Sequence, residues 1–137
     1  MKRKLTAFSL MVFSLVLSKN AFSQSSDQVY VPFAFEAGST HMPAGNYLIQ
    51  QKSESHFVTI SDLKTGKAMF LLAGNPVALP MDTPAKLVFH QYGSQHFLAA
   101  VYEGGGHMAR TFSATDAEKQ LRGHQTVASK EELIALN

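Results

Sequence analysis

Between Lys86 and Tyr102 two apolar-rich runs, KLVFHQY and QHFLAAVY, are separated only by Gly93-Ser94. A connection that short joins antiparallel strands only if its backbone takes positive φ, which glycine does without a Cβ clash. The stretch therefore predicts a hairpin, pairing Tyr92 with Gln95, Gln91 with His96, His90 with Phe97 and Phe89 with Leu98. Strict alternation then places Leu87, Phe89, Leu98, Ala100 and Tyr102 on one face with Gln91 and His96. Val88, Phe97 and Val101 share the other face with His90. In this register the two histidines point to opposite sides of the sheet and cannot hold one ion together, and only a bulge beside them would reverse that.

The rest of the chain up to about residue 112 repeats the same grammar of short alternating runs and turn residues. In QVYVPFAF (28–35) Pro32 removes a ladder donor, which marks an edge strand or a strand end. The stretch MPAGNY (42–47) has Pro43 suited to a first central turn position and Gly45 to its exit. Tyr47–Gln50 and His56–Ile60 read as strands. SDLKTGKAM is a turn in which Asp62 bonds the backbone ahead of it and Gly66 takes the positive φ of a bulged exit to Lys67–Leu72. Asn75–Pro80 is a weaker segment, interrupted by two prolines, and MDTPAK is a loop. Regularly spaced strands of this kind predict a mainly β, antiparallel sandwich or small barrel of about 6–8 short strands.

The C-terminal segment, about 115–137, changes character. Thr115-Asp-Ala-Glu118 and Ser129-Lys-Glu-Glu132 both fit S/T-x-x-E, in which hydroxyl and carboxylate satisfy helix-end donors reciprocally. Gly123 would end the first helix, and Leu133, Ile134 and Leu136 would give the second an apolar side. One or two short C-terminal helices are expected.

The first residues carry a targeting pattern. Lys2, Arg3 and Lys4 precede an apolar run from Leu5 to Leu17, and Ala21-Phe22-Ser23 supplies small residues before Gln24. This predicts a secretory signal peptide over 1–23, too short to be a comfortable membrane span, followed by a single domain over 24–137. The expected location is outside the cytoplasm, in the periplasm or secreted, with no transmembrane anchor after cleavage. The 12 basic residues fall to 8 on cleavage while all 10 acidic ones remain, so the net charge turns from +2 to −2. Nucleic-acid binding through a basic patch loses its basis. With no cysteine, the chain has no disulfide, thiolate nucleophile or zinc–thiolate site and depends on its core.

Chemistry-bearing patterns are sparse. There is no G-x-S-x-G, no H-E-x-x-H and no S-x-x-K with its partner motifs. Gly104-Gly105-Gly106 lacks the Lys-Ser/Thr of a phosphate loop and reads as a flexible turn. Asp62, Asp82, Glu36 and Glu103 read as solvated surface carboxylates. One coincidence remains: His41-Met42 and His107-Met108 both lie in expected loops, and imidazole with thioether suits copper. No other cofactor is expected.

The segments Val31-Pro32-Phe33-Ala34-Phe35, Met42-Pro43-Ala44-Gly45-Asn46-Tyr47 and Lys86 to Leu98, followed by a glycine-rich loop and Arg110, resemble motifs of a family of small uncharacterised exported β-rich proteins of environmental Gram-negative bacteria. Where typical members have Leu, this chain has Met42, which makes that residue an apolar turn position. The resemblance covers most of 28–122 and implies a secreted β-domain, with no catalytic residue or cofactor to carry over. The expected function is a non-enzymatic binding or structural module of the cell envelope. Its partner would be an envelope protein, a glycan or a small apolar ligand, with Tyr30, Tyr92 and Tyr102 as candidate contact residues. The alternative is a periplasmic copper carrier using His41, Met42, His107 and Met108.

Overall fold

A computed structural model describes residues 24–52, 54–103, 108–124 and 130–136. Among these the strands are β1 (Gln24–Val31), β2 (Phe35–Ala37), β3 (Thr40–Met42), β4 (Gly45–Lys52), β5 (Phe57–Asp62), β6 (Ala68–Leu72), β7 (Val77–Ala78), β8 (Lys86–Tyr92), β9 (Gln95–Tyr102), β10 (Met108–Thr111) and β11 (Lys130–Ala135), with one helix, α1 (Asp116–His124), before the last strand. The count exceeds the expected 6–8 because β2, β3 and β7 are two- or three-residue pieces around turns and prolines.

Two sheets pack as a sandwich, and among the described residues they do not close into a barrel. The first runs β1-β4-β5-β6; the second runs β11-β8-β9-β10-β7, with the β2–β3 hairpin attached to β9. Pro32 follows β1, which is indeed an edge strand that ends at Val31. The turn after β5 forms as expected: the Asp62 carboxylate accepts from the N–H groups of Lys64 (2.8 Å) and Thr65 (3.3 Å), and Gly66 has φ 73°.

The hairpin at Gly93-Ser94 has the expected register for its first four pairs, and Gly93 has φ 61°. Beyond them the ladder slips: Phe89 faces Leu98 but Val88 faces Ala100, leaving Ala99 as an extra residue in β9. This bulge corrects the expected faces. Val101 moves opposite Leu87 into the core, while Ala100 and Tyr102 turn to the outer side with Val88 and Lys86. It also marks where β9 changes partners along its free edge, from β2 at Phe97 to β10 at Ala100–Tyr102. The histidines lie on the turn side of the bulge, so His90 and His96 remain on opposite faces.

The core lies between the sheets. Val29, Val31, Tyr47, Ile49, Val58, Ile60 and Leu71 come from the first sheet, and Leu87, Phe89, Leu98 and Val101 from the second. Phe35 joins them, with edge-to-face contacts to Tyr47 (5.4 Å between centroids) and Phe89 (5.2 Å). His96 belongs to this interior, stacked on Phe33 at 3.8 Å.

The segment expected as a second helix is a strand. β11 pairs antiparallel with β8 from Lys130↔Gln91 to Ala135↔Lys86, and Ile134 and Leu136 pack against the core. A local capping pattern contributes about 1 kcal/mol. Covering the open edge of β8 supplies a row of backbone hydrogen bonds and apolar burial, which outweighs it.

Candidate binding face

Alternation along β4, β5 and β6 sends Tyr47, Ile49, Val58, Ile60 and Leu71 inward, and so sends their neighbours outward. In a two-layer sandwich the outward face meets water, and polar residues are the ordinary choice there. Gln50 and Thr59 follow that rule. Phe57, Phe70 and Leu72 do not, and they are 52%, 68% and 66% exposed. Phe57 stands opposite Leu72, and Thr59 opposite Phe70, so the three large side chains form one cluster at the β6 side of the sheet. Gln50, Lys52, Ser55 and Thr59 border it, enclosing with Phe57 and Phe70 a shallow hollow of about 180 Å³. Lys52 is the charge at its rim.

This cluster is not among the aromatic residues that the sequence suggested for contact. Tyr30 is exposed but lies on β1, the opposite edge of the sheet. Tyr92 is buried, and Tyr102 lies under the Lys86 ammonium, 4.8 Å from its ring. A signal for the missed residues does exist in Met69-Phe70-Leu71-Leu72. Four consecutive apolar residues on a strand cannot all face one core, so two must be displayed or covered by another element.

The second sheet solves the same problem internally. Its outer face carries Tyr92 and Phe97, in edge-to-face contact, and both are buried. Beside them α1 is anchored through Glu118. The Thr115 hydroxyl accepts from the Glu118 N–H (3.2 Å), as the capping pattern requires. The Glu118 carboxylate instead reaches the sheet, bonding His90 Nδ1 (2.7 Å) and the Tyr92 hydroxyl (3.1 Å), with Arg122 Nη2 at 3.4 Å. The Arg122 Nε–H also donates to the Tyr92 hydroxyl (3.3 Å). That bond, with the Glu118 charge, raises the guanidinium pKa further. A carboxylate-oriented imidazole is half of a general-base arrangement. Two hydroxyls bond to Glu118: Tyr92 at its carboxylate and Thr115 at its backbone N–H. These bonds fasten α1 across the hairpin.

Of the four residues proposed for copper, three lie among the described residues. His41 and Met42 lie on β3 rather than in a loop, and successive strand residues face opposite ways. Met42 is in the core, while His41 is exposed and pairs across the β2–β3 hairpin with Glu36 at 2.6 Å. Met108 begins β10 opposite Ala78, and His107 lies outside the described residues. Among the described residues no group of three or more His, Asp or Glu is placed to hold a metal ion.

Two larger depressions, of about 750 and 670 Å³, are open and lined mainly by turns and by the start of α1. Neither contains a convergent set of charged groups. Among the described residues no helix is long and apolar enough to cross a membrane. No family model, curated protein or solved structure matches the chain.

Proposed function

We propose that this protein is an exported, non-enzymatic binding module of the cell envelope, delivered by the signal peptide at residues 1–23, and that its partner is an apolar segment of an envelope protein. The observation that carries the reading is the exposure of Phe57, Phe70 and Leu72 together on one flat sheet face. Contiguous apolar surface rimmed by polar residues is the ordinary mark of an interaction site. The size of the hollow beside this cluster favours a protein segment as its partner. The hollow of about 180 Å³ is well below the roughly 300–1,000 Å³ of small-molecule sites, whereas a flat face suits a protein segment. The targeting pattern, the absence of cysteine and the resemblance to exported β-rich proteins support the envelope as the setting.

The test is a photocrosslinking phenylalanine analogue placed at Phe57 in the native host, with Tyr30 substituted in the same way as the control. A discrete envelope-protein adduct at position 57 and none at 30 is the expected result. Equal labelling at both positions, or adducts only with glycan or lipid, would overturn the choice of partner.

A further inference from the structure

The geometry points to a second copy of this chain as the occupant of the β6 edge, joined by antiparallel strand pairing about a two-fold axis through Phe70. β6 is the outer strand of the first sheet. The bonds Asp62 N–H to Lys67 C=O (2.8 Å) and Ala73 N–H to His56 C=O (2.7 Å) fix which residues of this strand bond inward. By antiparallel alternation Met69 and Leu71 also bond β5, while Ala68, Phe70 and Leu72 turn their N–H and C=O groups away from it.

Natural sheets protect such edges with charge, proline or shortness, because a bare edge is a template for another strand. Among the described residues the other outer strands follow the rule, β3 by its length of three residues. β1 contains Asp27 and runs into Pro32, β11 contains Lys130, Glu131 and Glu132, and β7 has two residues between Pro76 and Pro80. β6, with the sequence AMFLL, has neither charge nor proline within the strand, and Lys67 stands just before it.

The strand is also complementary to itself. Its outward-bonding residues are spaced symmetrically about Phe70, so a two-fold axis there sets Phe70 against its copy and each Ala68 against the other copy's Leu72. Small then faces large, no like charges meet within the strand, and about six backbone hydrogen bonds form. The symmetry closes at two copies, and the two Phe57–Phe70–Leu72 clusters merge into one band across a continuous sheet. This goes beyond the proposed function, sharing Phe70 and Leu72 with it.

The chain has no cysteine, so Phe70→Cys carries a single thiol. Across a hydrogen-bonded pair the Cα atoms are about 5.5 Å apart, inside the range a disulfide spans. Under mild oxidation Phe70→Cys should form a covalent dimer rapidly, while Tyr30→Cys, as exposed but on the far edge, should not. In sedimentation from micromolar to submillimolar concentration the unsubstituted protein should run at twice the chain mass, and Phe70→Lys at the chain mass with its fold intact by circular dichroism. If Phe70→Lys fails to fold, the crosslink and the sedimentation of the unsubstituted protein still decide. An unsubstituted protein that stays monomeric, or equal crosslinking by the two cysteine variants, overturns the inference. A monomer that still crosslinks an envelope protein through position 57 sinks the dimer alone, and a dimer without that adduct sinks the envelope partner alone.

Discussion

Tyr47 and Asp62 stand directly opposite each other across β4 and β5, both on the buried side of the first sheet. Each closes a turn. The Tyr47 hydroxyl donates to the Pro43 carbonyl at the entry to β4, and the Asp62 carboxylate collects the N–H groups of the turn that leaves β5. Burial, and secondarily the Asp62 charge, push the Tyr47 pKa up to about 12.

That shift makes a prediction in alkali. An unfolded tyrosine ionises near pH 10.0, whereas Tyr47 in the fold stays protonated to about 12. The unfolded state loses its proton first, so the stabilisation is complete below pH 10, falls as pH rises, and is gone once pH has passed the folded value. Tyr47→Phe should be less stable at neutral pH by about 1 kcal/mol, the worth of a typical hydrogen bond. Urea titrations at stepped pH should show the gap between the two proteins narrowing from pH 10 upward. A constant gap would contradict the buried, proton-holding hydroxyl.

Asp62 predicts the opposite limb. Its pKa is lowered, chiefly by the Lys64 N–H, with the Thr65 bonds adding to the effect against a desolvation penalty. A lowered folded value means stabilisation that is present above the unfolded pKa, near 3.8, and lost as pH falls through the folded one. Asp62→Asn keeps the shape and loses the charge. Its thermal midpoint should lie below that of the unsubstituted protein at pH 7, with the difference disappearing in acid below the carboxylate range.

Glu118 predicts a local rather than a global weakness. Its carboxylate serves His90, Tyr92 and Arg122 at once, so Glu118→Ala leaves the buried Tyr92 hydroxyl and the half-buried His90 without their acceptor, at a cost of about 1–3 kcal/mol. Hydrogen exchange should accelerate first in α1 and in the outer half of the β8–β9 hairpin, while the first sheet keeps its protection. Uniform acceleration through both sheets would mean that the cluster supports the whole fold.

Glu118 also shows what the sequence could and could not display. Its place three residues after Thr115 identified the helix start, because capping is local chemistry. That its carboxylate would turn to the sheet depends on His90 and Tyr92, which are distant in sequence. The same division runs through the molecule. The turns at Gly66 and Gly93 were legible from one or two residues each. The bulge at Ala99 was not, since it reflects β9 passing from β2 to β10, and the strand over 130–135 was not, since it answers the open edge of β8. The binding face lay between these cases: the apolar run at 69–72 was visible, but which pair of its residues faced solvent depended on the register with β5, which sets Leu71 beside Val58 on the core side.

The strand assignment of β11 is itself testable. Ile134 faces Leu87 and packs against the core, so Ile134→Ala should cost up to about 2 kcal/mol, at the low end for an aliphatic truncation because the residue is half-buried. Amides of β8 should exchange faster in this variant, because β11 is their partner on that side. A helical segment at 130–135 would lower overall stability on the same substitution without changing β8 protection.

Phe35 and Phe57 give the sharpest contrast between the two sides of the sandwich. Phe35 touches the rings of Tyr47 and Phe89 and is fully buried; Phe57 has no such enclosure and lies on the outer face. Truncation of a buried phenylalanine to alanine removes transfer energy and leaves a cavity, about 3–5 kcal/mol, enough to unfold a marginal domain. The same change at a solvent-facing site stays within about 0.5 kcal/mol. Phe35→Ala should therefore lower the denaturation midpoint severely, while Phe57→Ala should leave it in place and remove only the interaction that its exposed ring makes. Comparable destabilisation by both would mean that Phe57 is held within the protein's own packing, and that the outer face of the first sheet is not available to a partner.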